Sequence, residues 1–170
     1  MADFITLSPA GGCVAAVGAE TFVQSIIPHA QWPQIGDEIA FACRTSDTAF
    51  LPIRWVIKEF DLDGSAGTAN NPDPQDRRLV GTELPTGKRD YAGSGTQLPR
   101  MSTGNPRVLW HADIYPAQSG RVPLISPLTG KPIMIRPGRV GTLSIIIPAA
   151  VAGQVAAQTV EFGLYTHDGG

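Results

Sequence analysis

The sequence predicts an all-β protein, built either as a β-sandwich, of which a jelly roll is one version, or as a β-barrel, with roughly eight or nine strands. Three observations lead there. Gly (19) and Pro (15) divide the 170 residues into short pieces and leave little room for long helices. Inside those pieces apolar residues recur with period two, the spacing of a strand with one buried face. The pieces are also rich in Val, Ile, Thr, Phe and Trp, which suit a pleated backbone.

Phe4-Ile5-Thr6-Leu7 reads as a first short strand, ended by Ser8-Pro9. In CVAAVGAETFVQSIIP, Thr21, Val23 and Ser25 share one parity, Phe22, Gln24 and Ile26 the other, and Pro28 stops the run. PQIG fits a turn. In DEIAFACRT, Ile39, Phe41 and Cys43 alternate with Glu38, Ala40, Ala42 and Arg44, a half-buried strand. FLPIRWVIKEFDLD is similar, with Ile53, Trp55 and Ile57 on one parity; its alternation slips after Ile57, which marks a β-bulge.

Residues 61–106 differ in character. Large apolar side chains are sparse, and Gly, Pro, Asn, Asp, Ser and Thr dominate, with RRLVGTEL as one short strand. The segment reads as a long loop or arm inserted between strands of a single β domain spanning 1–170. Loops of such length are uncommon unless they carry function or are ordered from outside.

Regular structure resumes at RVLWHADIY, where both parities carry apolar residues, as in a strand covered on both faces. PLISPLTGKPIMIRPG reads as strand, turn and strand, the turn at 128–132. TLSIIIP ends at Pro148, and TVEFGLYTHD closes the chain with Val160, Phe162 and Leu164 on one face. FVQSIIP and GTLSIIIP share their ending, as two strands finishing at one rim would.

Residues 140–160 contain no charge and are long enough for a membrane-spanning helix. Pro148, Gly153, Gln154 and Gln158 argue against one. The run is better divided into a buried strand at 140–147, an Ala-rich connection with a helical turn or two begun at Pro148, and a closing strand from Thr159. No transmembrane helix is expected. With no base before Arg44, neither is a secretory signal.

Charge is unevenly laid out. Residues 1–76 hold ten acids and three bases; residues 77–139 hold ten bases, eight of them Arg, and three acids. Either the two blocks meet between molecules or they neutralise each other within one. On the first view Arg77, Arg78, Lys88, Arg89, Arg100 and Arg107 are the expected subunit-interface residues, since Arg pairs bidentately with carboxylates. The sequence pI of about 5.9 and the scarcity of nearby aromatics argue against a dedicated nucleic-acid binder. Cys13 and Cys43 are either two buried thiols or one disulfide.

Chemical motifs are absent. Asp61, Asp63 and Ser65 imitate a calcium loop, but Gly64 and Pro72 occupy the wrong positions for an EF-hand, so an Asp-Gly turn is expected. His29, His111 and His167 lack ligand spacing, although His111 and Asp113 share one strand face, so no metal site is assigned. There is no G-x-S-x-G, phosphate-cradling loop or acid–base carboxylate pair. No catalytic residue and no cofactor are assigned, and the chain is expected to be non-enzymatic.

A small, β-rich, low-charge chain, rich in Gly and Pro, with a long arm at 61–106 and opposed charge blocks, resembles bacteriophage and viral virion structural proteins as a general type. No family motif carries the resemblance, so no residue role transfers with it. The resemblance implies a capsid decoration, minor capsid, head–tail or tail component, assembled in the host cytoplasm and resident in the virion. Its partners would be other copies of itself and other virion proteins. The competing expectation is a carbohydrate- or other ligand-binding β-sandwich using Trp32, Trp55 or Trp110.

Overall fold

The described residues form twelve strands and no helix: β1 Asp3–Leu7, β2 Cys13–Ala16, β3 Glu20–Pro28, β4 Gln34–Cys43, β5 Ile53–Asp61, β6 Gln75–Asp76, β7 Gly87–Asp90, β8 Arg107–Ile114, β9 Ser119–Pro123, β10 Met134–Ile135, β11 Arg139–Ile146 and β12 Ala157–Asp168. The computed structural model describes residues 3–7, 13–16, 18, 20–28, 31–43, 53–61, 75–76, 87–90, 106–114, 119–147 and 157–169.

The strands make two antiparallel sheets, of seven and five strands. In the first, β12 lies between β4 and the successive strands β1 and β2; β9 and β10 lie along the far side of β4, and β6 borders β1. The second has the order β7-β3-β11-β5-β8. The sheets share no strand, so the architecture is a sandwich and not a closed barrel. With β1 and β2 taken as one ribbon, and β9 and β10 as another, the pairing is nested. The first ribbon pairs with β12, β3 with β11, β4 with the β9–β10 ribbon, and β5 with β8.

The core lies where the predicted alternation puts it. Val160, Phe162, Leu164 and Ile39 come from the first sheet; Ile53, Trp55, Ile57, Leu143 and Ile145 come from the second. Trp55 bridges the layers, with Phe41 at 6.0 Å and Phe162 at 6.3 Å between ring centroids. Gly141 of β11 marks a second point of close approach. A Cβ there would lie 2.7 Å from Ile135 Cγ1, so only glycine lets β10 seat its isoleucine on β11.

β11 accounts for the first third of the uncharged run. Its interior residues are buried on both parities, and Thr142 and Ser144 are as enclosed as Leu143 and Ile145. β12 supplies the other end. No helix of the described residues is long and apolar enough to cross a membrane. The Ala-rich connection and RRLVGTEL lie largely outside the described residues.

The β5–β8 register shifts between Ile57 and Lys58, where a bulge was expected, but the extra residue lies on β8, and β5 keeps unbroken register with β11. That shift also corrects the reading of β8 as a strand covered on both faces. Leu109 is the extra residue, so it and Trp110 are buried in succession, while Val108, His111 and Asp113 are exposed. Among the described residues β8 is an edge strand. The shared ending of β3 and β11 has another cause than a common rim, because the two strands are antiparallel neighbours and finish at opposite rims.

Candidate functional site

The two long sides of the sandwich are treated differently. On one side, both sheet edges are bordered by short strands from the 61–106 segment. β6 pairs with β1 (Phe4 opposite Asp76), and β7 pairs with β3, with Lys88 opposite Ile27 and Arg89 opposite Ile26. Two pieces of the expected arm therefore lie on their own domain. On the other side, β8 ends the second sheet and the β9–β10 ribbon ends the first. Among the described residues nothing pairs with the outer side of either. An unpaired edge presents free N–H and C=O groups to a further strand.

A cleft of about 620 Å³ opens at this side, between the start of β8 and the segment joining β9 to β10. The connecting segment is a tight excursion. Ile125 bridges Pro132, the Gly130 N–H donates to the Ser126 carbonyl, and Gly130 adopts φ 65°, a conformation costly for residues with a Cβ. Its tip carries Leu128, 89% exposed. Val108, Leu109, Leu128, Ile133 and Met134 give the cleft an apolar wall; Arg107, Lys131 and His167 bring polar groups to it, and among the described residues no acid lines it. Val108 and Met134 are also well exposed for apolar residues, at 48% and 44%.

Beside the cleft lies a buried ion pair. The Glu59 side chain is 1% exposed. It accepts hydrogen bonds from the Arg136 backbone N–H and Nε, both at 2.9 Å, and from Nη2 at 2.5 Å; Arg107 Nε stands 3.8 Å away. Burial pushes the Glu59 carboxyl up, but the Arg136 bonds outweigh it and hold the group below the usual carboxylate range. On the outer face of the same sheet, Arg54 grips Asp113 through two bonds of 2.7 and 3.1 Å and holds that carboxyl down as well. Lys58 and Ser144 both donate to Glu20.

These pairs resolve much of the charge layout. Arg107 and Arg136 meet Glu59, Arg121 meets Glu38 at 2.7 Å, and Arg139 meets Asp61. Four bases of the basic block are thus paired with three acids of the acidic block within one chain. Arg107, expected at a subunit contact, sits at the mouth of the cleft and is half-exposed. Lys88 and Arg89 lie on the bordering strand β7, whereas Arg77, Arg78 and Arg100 fall outside the described residues.

The other candidates separate. Cys13 and Cys43 are both in register with Val160, one on each side of β12. Their backbones are two strand spacings apart, roughly 9.5 Å, beyond the roughly 4.4–6.8 Å between Cα atoms that a disulfide spans. This backbone spacing speaks against the disulfide alternative within one chain. Asp61 ends β5 in its pair with Arg139, and Asp63 and Ser65 are outside the described residues. His167 Nδ1 contacts Asp37 at 2.8 Å on the first sheet, while His111 and Asp113 belong to the second and do not line the cleft. Among the described residues no three His, Cys, Asp or Glu side chains form a metal cluster. Trp55 and Trp110 are core residues, and Trp32, 43% exposed, remains on the surface.

Glu59, Arg136, Lys131 and Leu128 were not singled out by the sequence. The available signal for Glu59 was its place directly after the slip in alternation, where parity becomes ambiguous. No family model matches the chain, and neither a curated protein nor a solved structure matches it.

Proposed function

We propose that the chain is a non-enzymatic structural protein of a virus or phage particle, a decoration, minor capsid, head–tail or tail component that works through repeated subunit contacts. The observation that carries this reading is the nested strand pairing. With the short strands β6 and β7 set aside, pairing of first with last, second with second-last, and so inward is the order that a long hairpin rolled into a jelly roll would have. Double-sheet jelly rolls serve in viral capsids and also in lectins and cupins. Between these, the open side favours assembly: one pair of edges is bordered and, among the described residues, the other is left unpaired beside an apolar cleft. A carbohydrate-binding sandwich draws less support, because two of its three candidate tryptophans are inside the core. Sedimentation velocity over a wide concentration range tests the reading. Reversible growth into oligomers is expected; a single monomeric species throughout, with binding on a glycan array, would replace it with the lectin reading.

A further inference from the structure

We propose that β8 is a self-pairing edge: two copies join antiparallel about a two-fold axis at Ala112, placing His111 of each opposite the partner subunit's Asp113. The inference rests on the assembly reading above and names its contact.

Four observations lead to it. The outer side of β8 has no partner among the described residues, while the opposite edge of the same sheet is bordered by β7. β8 contains neither Pro nor Lys, two residues that commonly keep exposed edges from pairing. The bulge takes Leu109 out of the regular ladder, but residues 110–114 keep unbroken register with β5, from Trp110 opposite Ile57 to Ile114 opposite Ile53. That stretch is the pairable length. Finally, an antiparallel strand that meets its own copy must be complementary to itself about its centre.

Only one centre satisfies these conditions. With Ala112 on the axis, His111 meets Asp113 twice, a small residue meets its own image at the crowded centre, and Trp110 meets Ile114. Centred on His111, two imidazoles face each other and no opposite charges meet. Centred on Trp110, Arg107 would meet Asp113, but the ladder would have to run straight through the bulge at Leu109. The Ala112 register also continues a row already formed on the outer face. Arg54 is opposite Asp113 in the β5–β8 pair, and His111 is opposite Val56. The joined sheets would therefore carry Arg54, Asp113, the partner subunit's His111 and the partner subunit's Val56 in line. Asp113 would then be held between a guanidinium and an imidazole. Both His111 and Asp113 are exposed, and Asp113 already holds Arg54.

The test is sedimentation equilibrium of the full chain, wild type against two variants. His111→Asp sets two acids opposite each other in both symmetry-related pairs and is expected to weaken self-association about tenfold. Adding Asp113→His to that variant restores the complementarity with its direction reversed and is expected to recover most of the loss. A cross-link gives an independent readout. In the paired strands the Cα atoms of 111 and 113 are about 4.5–5.5 Å apart, within disulfide reach. A mixture of His111→Cys and Asp113→Cys chains is expected to form the mixed disulfide, identified by peptide mapping, faster than either variant alone couples to itself. Unchanged association of His111→Asp, no recovery in the double variant, or no preference for the mixed disulfide overturns the β8 contact while leaving assembly through another surface intact. A wild-type chain that stays monomeric at every concentration overturns both.

Discussion

Removing the Arg136 side chain isolates the buried carboxylate at the centre of the ion-pair cluster. In Arg136→Met, Glu59 keeps the backbone N–H of residue 136 and the distant Arg107, but loses both guanidinium bonds while its side chain stays 1% exposed. Breaking a buried ion pair by deleting one partner costs about 3–5 kcal/mol. Here the guanidinium is 44% exposed and one donor survives, so about 2 kcal/mol is the expected loss at neutral pH. For a chain of this length that lowers Tm by about 4–8 °C. The pH dependence identifies the cause. In the wild type the Glu59 carboxyl is held below its usual value, so its contribution is present above about pH 4.3 and is lost as pH falls through the folded value. In the variant burial acts without the arginine, the folded value moves above the unfolded one, and acidification neutralises a group that is costly to keep charged. The deficit measured by thermal melts followed by near-ultraviolet circular dichroism should therefore shrink between about pH 7 and pH 4.5. A deficit below about 1 °C at pH 7, or one that stays constant or grows in acid, would refute the assignment of Glu59 as an arginine-dependent buried charge.

Three further perturbations probe other parts of the fold. Gly141→Ala puts a Cβ 2.7 Å from Ile135 Cγ1, and should lower the urea midpoint with an unchanged m-value, by about 1–3 kcal/mol of overpacking. Thr142 Oγ1 is buried without a hydrogen-bond partner, so Thr142→Val should raise Tm by about 2–4 °C in a calorimetric scan, the return of about 1 kcal/mol of desolvation cost. Because one strand separates Cys13 from Cys43, thiol titration in denaturant without reductant should count two free thiols per chain, and reductant should leave Tm unchanged.

The sandwich was legible where one side of a strand is wet and the other dry. β4 and β12 follow their alternation closely, whereas β5 buries Trp55, Val56 and Ile57 in succession, and the extra residue of the β5–β8 bulge, Leu109, belongs to β8 and not to the strand whose alternation slips. The site was less legible for a related reason. Glu59 and Arg136 are separated by 77 residues, and nothing local to either says that the other will cover it. The cleft depends on which strands end up at sheet edges, a property of topology and not of any one strand's pattern. β8 shows the limit clearly. Its apolar residues on both parities suggested a strand enclosed on both faces, yet the bulge produces the same pattern in an edge strand by turning Leu109 and Trp110 inward together. The charge blocks were visible as composition, but only the fold reveals that Arg107, Arg121, Arg136 and Arg139 meet their acids inside one molecule.

That internal neutralisation changes what a subunit contact can consist of. Had the basic block been free, attraction between opposed charge blocks would have sufficed to bring copies together, at the cost of strong sensitivity to salt. With these four arginines paired inside the chain, the proposed contact would draw instead on backbone groups and apolar surface, and among the described residues both occur on the side where β8 and the β9–β10 ribbon end. A ladder of backbone hydrogen bonds is indifferent to sequence and would by itself permit several registers. The register must then be chosen by the few side chains that stand on the ladder, and on the regular part of β8 those are His111, Ala112 and Asp113. On the proposed reading, affinity from the edge and register from one charged pair would be a division of work that suits a part used many times in one particle, where each contact is weak and its geometry must repeat.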